Sequence, residues 1–376
     1  MQKKIKILHI QESILSGGVE RRRLSLARHL DKTLFEQKFV CTFAEGNIPD
    51  EIRAEGFEVI PIGELKSPFQ WAQHKKIQKI IDDYQPDIVH GAVFEGVTMA
   101  ALNGWIKRVP KIIIEETSYP MTRSKKANIL MKFFGKISHK IIGVSSAVTD
   151  EYLLRTLKLP KEKVVLINNG VRIPRTINEI EILKTKQYWN ISEDDFVVGT
   201  LGRMQSDTIK RYSDLIYAFA KFSQDKKNVK LMLVGGTLEN IQEYKVLVDD
   251  LKINNKVIFT LYQPDVTLYY KLMDVFAMVS ATESFGLSLA EAMLNKLPVV
   301  ATKVGGMKYI VDHDETGILV QRFKIDEIAD SLNTLYYDQE LRLKMGVNGF
   351  SKAMKEYTEE AYVQKVTSLY LKLTSK

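Results

Sequence analysis

Glu283 and Glu291 are separated by seven residues in a stretch whose other side chains are mostly small or apolar. Glu291 is flanked by apolar neighbours in LSLAEAML, so its charge is costly there unless it meets a polar partner. A sugar hydroxyl or a ribose diol would be such a partner. Glu283 follows an apolar run at 275–279 and the small residues Ser280-Ala281-Thr282, which sets it at the mouth of a strand. Ser284 reads as a helix N-cap, and Gly286 as a point where a phosphate can approach bare backbone. The competing reading is a solvated loop carboxylate followed by an ordinary helix former.

The elements that must hold these groups are legible on either side. Phe285, Leu289, Ala292 and Met293 recur at helix-face spacing, and a β-branched run follows at 298–302. Strand, helix and strand with short joints make a βαβ unit with parallel strands and a right-handed crossover. Ligands of such sheets collect beyond the carboxyl ends of the strands, where helix N-termini point unpaired N–H groups outward.

Glu283-Ser284-Phe285-Gly286-Leu287, the second acid Glu291, Ala292-Met293, LPVVAT, Gly305-Gly306 and Glu315-Thr316-Gly317-Ile318-Leu319-Val320 together resemble the donor-site block of family-4 retaining glycosyltransferases. That resemblance implies the GT-B fold, an α/β architecture of two Rossmann-like doubly wound parallel-sheet domains facing a central cleft. It also implies roles. Arg203 and Lys210 would hold the diphosphate of a nucleotide sugar, and Phe285, Gly286, Leu287 and Ser288 would offer it backbone N–H groups. Cleaving a glycosyl–phosphate bond leaves a dianion, and fixed cations with helix-end amides stabilise that charge. Glu283 would bind sugar hydroxyls and Glu291 the ribose diol, with Gly235 and Tyr262 at neighbouring strand ends. Arg211 stands where the family commonly has glycine, and it is the alternative to Lys210 as the second cation. Tyr309 stands where the family usually has glutamate.

Composition bounds the rest. A chain of 376 residues calls for two domains rather than one core. A hydrophobic share of 45% against 27% charged is that of an ordinary globular protein. One cysteine, Cys41, excludes a disulfide framework and a thiolate zinc cluster, and fits a reduced cytosol. The start, MQKKIKILHI, has too short an apolar run for a secretory signal, and nothing approaches a membrane span. The expected location is cytoplasmic, or peripheral on the inner face of the cell membrane. A net charge of +8 suits nucleic acid, an anionic membrane or a phosphorylated ligand. No nucleic-acid motif with interleaved aromatics accompanies it, so nucleic acid is not expected as a partner. Asp312-His313-Asp314 is the only D-x-D and lies in a turn-like segment, so no metal is expected.

In the first half, strands are predicted at 4–11, 37–44, 57–62, 87–93, 111–117, 140–145 and 164–168, mostly alternating with helices. Ser16-Gly17-Gly18-Val19-Glu20 opens the first helix, with Leu24, Ala27 and Leu30 on one face. The three spaced glycines of a dinucleotide fingerprint are missing, so no nicotinamide cofactor is expected and none other is required. The resemblance sets Gly17 and Gly18 against the donor phosphates. His90, Glu116, Ser145 and Asn169 fall at strand ends. His90 reads either as a catalytic residue or as a satisfied strand-end histidine, and Ala92 stands where many relatives carry a further histidine. Glu95 and Glu116 are candidate acceptor contacts.

Residues 121–140 interleave Arg123, Lys125, Lys126, Lys132, Lys136 and Lys140 with Ile129, Leu130, Phe133, Phe134 and Ile137. They form either a basic face for an anionic membrane or a sheet-covering helix with lysines on its wet side. The domain plan is 1–175, a linker region at 176–192, a nucleotide-sugar-binding domain at 193–355, and a last helix at 356–376 returning to the first domain. Strands in the second half are predicted at 195–203, 229–235, 256–261, 274–280 and 298–302.

The function expected from the resemblance is a retaining, metal-independent hexosyltransferase. It would move a sugar from a nucleotide donor, UDP favoured over GDP, to a hydroxyl on a glycan or lipid-linked acceptor. Bacterial surface polysaccharide or glycolipid synthesis is the expected setting. A nucleotide-sugar epimerase or hydrolase on the same fold, or a non-catalytic nucleotide-sugar binding protein, is the alternative.

Overall fold

The structure is a computed structural model that describes residues 3–15, 17–120, 123–205 and 207–375. Ser16 of the Gly-Gly motif and Met121 at the head of the basic stretch lie outside the described residues. The chain divides into two compact units: 1–170 with 358–376, and 171–357.

In the first unit, β-branched runs form strands β1 (Ile5–Gln11), β2 (Phe35–Cys41), β3 (Val59–Pro61), β4 (Ile88–Ala92), β5 (Lys111–Glu116), β6 (Lys140–Gly143) and β7 (Val164–Leu166). They pair in parallel in the order β3-β2-β1-β4-β5-β6-β7. Strand order therefore reverses between β1 and β4, and that crevice is where doubly wound sheets bind ligands. Around the sheet lie α1 (Gly18–His29), α2 (Val93–Ile106) and α3 (Lys125–Ile137).

The second unit repeats the plan with β8 (Phe196–Leu201), β9 (Val229–Val234), β10 (Val257–Leu261), β11 (Val275–Met278), β12 (Val299–Thr302) and β13 (Gly317–Val320). All pair in parallel in the order β10-β9-β8-β11-β12-β13. Here the order reverses between β8 and β11. Helix α4 (Tyr212–Phe222) follows the loop after β8, and α5 (Leu287–Leu294) the loop after β11. The charged segment at 176–192, read as a linker, carries the helix Glu179–Tyr188 and belongs to this unit, where Arg175 pairs with both Glu181 and Asp265. Strand β13 was not anticipated; its four residues follow a turn and carry too short a pattern to distinguish.

Helix α6 (Glu359–Thr374) belongs to the first unit. Its Tyr362, Val363, Val366, Leu369 and Tyr370 pack with Ile7, Leu26, Ile88, Ile113 and Ile142 in one core. Burying each such side chain is worth roughly 1.5–3 kcal/mol as an upper estimate. A buried polar cluster adds specificity to that contact. Glu115 receives Arg22 Nη2 at 3.2 Å and Arg23 Nη2 at 3.3 Å. Arg22 lies over the Tyr362 ring at 4.8 Å, and Ser25 Oγ donates to Glu359 at 2.6 Å. Both arginines are thus fully enclosed.

Candidate functional site

The site begins where β8 ends. Gly202 leaves space that Tyr212 fills: a Cβ there would sit 2.0 Å from the Tyr212 hydroxyl. The chain then passes through exposed Arg203 into the short helix Asp207–Lys210. Asp207 anchors this loop, accepting Ser213 N–H at 3.0 Å and the Tyr244 hydroxyl at 3.3 Å. Ala281 N–H donates to Ile209 O at 2.8 Å, tying the loop to the segment after β11.

This arrangement separates the two candidate cations. Lys210 Nζ lies 2.6 Å from Glu283 Oε2. Arg211 is held elsewhere: its guanidinium grips Asp214 at 2.9 and 2.6 Å and lies over Phe323. Burial chiefly, with Glu283 adding to it, pushes the Tyr212 phenol up, and Arg203 pulls it down. Arg203 follows β8 and Glu283 lies in the segment after β11, so both come after the carboxyl ends of these two paired strands.

Glu283 is fixed from its backbone. Its carbonyl accepts Gly306 N–H at 2.8 Å, and a Cβ on Gly305, where φ is +45°, would lie 1.9 Å from that oxygen. The Gly-Gly pair therefore exists to let two loops touch. Ser284 is not the N-cap. Helix α5 starts at Leu287, capped by Gly286 at φ +112°, because the chain needs a left-handed turn there that Ser284 does not supply. A Cβ on Gly286 would make ordinary van der Waals contact with Leu289 and Met307 at 3.5 Å, so the positive φ, not lack of room, calls for glycine there. The first intrahelical bonds reach Leu289 and Ala290 N–H, so the amides of Leu287 and Ser288 stand at the leading end of α5. Phe285 turns its side chain inward, edge-on to Tyr357 at 5.6 Å, and can offer only backbone.

Glu291 finds its polar partner inside the protein. The Tyr270 hydroxyl lies 2.9 Å from Glu291 Oε2 and 3.1 Å from Ser288 O. Tyr270, Asp207 and Tyr212 are the positioning residues that sequence reasoning missed. Tyr270 lies 21 positions upstream of Glu291, and no spacing rule connects them. Gly235, at φ +114°, ends β9 and closes on Gly202, where a Cβ would sit 2.1 Å from the carbonyl oxygen. Tyr262 stands apart at the end of β10, 72% exposed.

The first unit holds the other candidates. His90 is wholly buried in β4. Its Nδ1 shares a 2.6 Å hydrogen bond with the Tyr370 hydroxyl, and its Nε2 lies 2.9 Å from Glu115 Oε1. Burial, with Arg23 assisting against the pull of Glu115, lowers its pKa to about 4. A neutral ring enclosed among these partners matches the satisfied strand-end histidine, one of the two readings the sequence left open. Glu116 is likewise engaged: Arg123 Nη1 lies 2.5 Å from one carboxylate oxygen, and Ser118 donates to the other. Glu116 is thus held within the first unit by Arg123 and Ser118. Ser145 and Asn169 are buried as well.

Gly17 caps α1, where a Cβ would lie 2.4 Å from Glu20 Oε2, and Gly18 is its first residue. Glu95 lies in the first turn of α2. Burial first, then Glu95 and Glu20, raises the Glu12 pKa, so these three acids share the β1–β4 crevice. Asp312-His313-Asp314 forms a turn in which Lys352 pairs with Asp312 at 2.8 Å. Among the described residues, no group of three or more His, Cys, Asp or Glu is arranged to hold a metal ion.

Residues 16–175 match the profile of Glycosyltransferase Family 4, and residues 181–352 that of Glycosyl transferases group 1. The chain belongs to the family-4 glycosyltransferases. Among curated relatives of this glycosyltransferase is the N-acetyl-alpha-D-glucosaminyl L-malate synthase of Bacillus anthracis, 28% identical over 65% of the chain. The match spans 62% of that relative's length. The alpha-monoglucosyldiacylglycerol synthase of Acholeplasma laidlawii is 25% identical over 88% of the chain and 86% of its own. Among solved structures, Anabaena HepE in complex with UDP and glucose superposes with a TM-score of 0.84 at 22% identity, covering 97% of this chain and 99% of HepE. That likeness, with two parallel sheets each reversing strand order once, identifies the fold as GT-B with two Rossmann-like domains. Among the described residues, no helix is long and apolar enough to cross a membrane.

Proposed function

We propose that this family-4 glycosyltransferase moves a hexose-type sugar from a nucleotide-sugar donor to a hydroxyl acceptor, with retention at the anomeric carbon and without a metal ion. One observation carries the reading. At the strand-order reversal of the second unit, Lys210 and Glu283 meet at 2.6 Å, with Arg203 in the loop after β8 and the leading amides of α5 after the loop from β11. The cations and amides suit a pyrophosphate, and the carboxylate suits sugar hydroxyls. On donor binding, Lys210 would turn from Glu283 to a phosphate oxygen, freeing the carboxylate for the sugar. As the glycosyl–phosphate bond breaks, Arg203 and Lys210 would neutralise the departing charge.

UDP is the nucleotide we infer, since HepE was solved with UDP and glucose. The acceptor we infer is a glycan or a lipid-linked hydroxyl at the inner face of the cell membrane, in surface polysaccharide or glycolipid synthesis. A diacylglycerol glycolipid synthase among the relatives supports that choice.

The test follows free nucleotide and free sugar separately after a thermal-shift panel has selected the donor. Arg203→Met and Lys210→Met should each lower donor turnover by about 10²–10³-fold while melting like the parent. Equal turnover in parent and variants would overturn the assignment. Free sugar matching nucleotide in the presence of acceptor would make the enzyme a hydrolase.

A further inference from the structure

The helix Glu179–Tyr188 is built inside out. Asn178 caps its start, accepting Glu181 N–H at 2.8 Å, and Arg175 fastens it by bridging Glu181 and Asp265. None of its residues is buried. The half-covered side is mostly polar, with Glu181, Thr185 and Lys186 beside Ile182. The solvent side carries Ile180 at 63% exposure, Leu183 at 47% and Tyr188 at 75%. At about 100° per residue, Ile180, Leu183, Lys184 and Gln187 fall within a sector of about 100°. Their spacing of three and four residues is that of a heptad seam, with Ile180 at a, Leu183 at d and Gln187 at the next a. Glu179 then flanks the seam on one side, at g, and Lys184 on the other, at e. Among the described residues, neither has an ion-pair partner.

We propose that this face seats a second copy of the chain, the two helices lying parallel about a two-fold axis. The charges select both the occupant and its direction. Parallel pairing lays Glu179 of each helix against Lys184 of the other copy, the g-to-e contact of a parallel two-stranded seam. Antiparallel pairing would turn the two Lys184 flanks towards each other. Lys186, the basic residue on the Glu179 flank, is already half-covered, with its charge bearing on Asp274. Isoleucine at a with leucine at d favours two strands, and a polar residue such as Gln187 at an a position fixes register. A lipid surface is a poor fit, because the seam is flanked by one acid and one base and carries no basic excess. A helix of 10 residues covers less than the roughly 1,200 Å² of a stable interface, so the dimer is weak and concentration-dependent. The contact uses none of the donor-site residues, so this proposal and the function proposed above fail separately.

The test is analytical ultracentrifugation of the full chain across the micromolar range. The parent should pass from monomer to dimer as concentration rises, with nothing larger, because a two-fold contact closes on itself. Ile180→Ser/Leu183→Ser strips the seam from both copies and should weaken association at least about 100-fold. Glu179→Lys should weaken it about tenfold, and Glu179→Lys/Lys184→Glu should restore it. Cys41, the chain's one cysteine, is buried, so Leu183→Cys adds a lone accessible thiol. That thiol should cross-link with its own copy on oxidation, since d positions meet on the axis of a parallel pair. Leu343→Cys, at a position 64% exposed on the helix Gln339–Glu356, is the control and should stay uncoupled. Every variant should keep the parent's melting temperature and its donor turnover per chain. A parent monomeric at all concentrations would overturn the proposal. So would a dimer indifferent to Ile180→Ser/Leu183→Ser, a charge swap that fails to restore association, or Leu183→Cys cross-linking no better than the control.

Discussion

His90 makes the stability of the first unit depend on pH in a way that can be worked out beforehand. Burial holds its folded pKa at about 4, against an ordinary value of 6.5. Between these values the unfolded chain takes up a proton that the folded ring refuses. Stability is therefore complete above the unfolded value and drains away as pH falls through 6.5 towards 4. From about pH 7 to about pH 5, this linkage removes roughly 2 kcal/mol. His9, whose ring lies 5.8 Å from that of His90, is also held low, chiefly by burial and then by Arg23, and acts with the same sign. Urea melts of a Trp189→Phe variant read the first unit alone, since Trp71 and Trp105 both lie in it. With a slope of about 2–3 kcal/mol per molar urea, the midpoint should drop by about 0.7–1 M over that pH range. His90→Asn should start from a lower midpoint and lose most of this pH slope, while its turnover at neutral pH stays within about threefold of the parent. Parallel pH slopes in parent and variant would refute the linkage. A fall of two orders of magnitude in the turnover of a folded variant would support the catalytic reading of His90.

Two glycines with similar φ should part company on substitution. Gly235→Ala forces a Cβ to 2.1 Å from Gly202 O at φ +114°, whereas Gly56 at φ +89° has nothing within 4 Å. Gly56→Ala should cost about 1 kcal/mol, and Gly235→Ala at least about 3 kcal/mol together with nucleotide binding; melting curves with and without UDP would show both. Tyr270→Phe removes the hydroxyl 2.9 Å from Glu291. It should lower stability by about 1–2 kcal/mol and raise the donor KM more than it lowers kcat, and an unchanged KM in steady-state kinetics would remove Tyr270 from the site.

The parts of this chain that could be read in advance are those governed by short-range rules. The parallel strands announced themselves as β-branched runs between helical periods, and the turn glycines at 235, 286 and 305 mark backbone with positive φ. The ESFG block already put Glu283 at a strand mouth. The long-range partners were not legible. Arg22 and Arg23 look like solvated helix positions, and only the approach of Glu115, more than ninety residues away, explains their burial. His90 looked available because its strand ends at the crevice, but Tyr370, 280 residues later, reaches Nδ1. Glu291 reads from the sequence as needing a polar partner, a sugar hydroxyl or ribose diol, and within the protein the hydroxyl beside it is that of Tyr270. The identity of that partner, Tyr270, follows from helix Thr267–Tyr270 packing near α5, and no periodicity carries such information.

Because α6 completes the first unit's core, that unit is discontinuous in the sequence. A ribosome releases the seven strands of its large sheet early but supplies Tyr362, Val366 and Tyr370 only after all of 171–357 has been made. At about 5–20 residues per second, the nascent first unit waits on the order of ten seconds or more with Ile7, Ile88 and Ile113 incompletely covered. The second unit carries its whole core in one run of sequence and has no such gap to wait out.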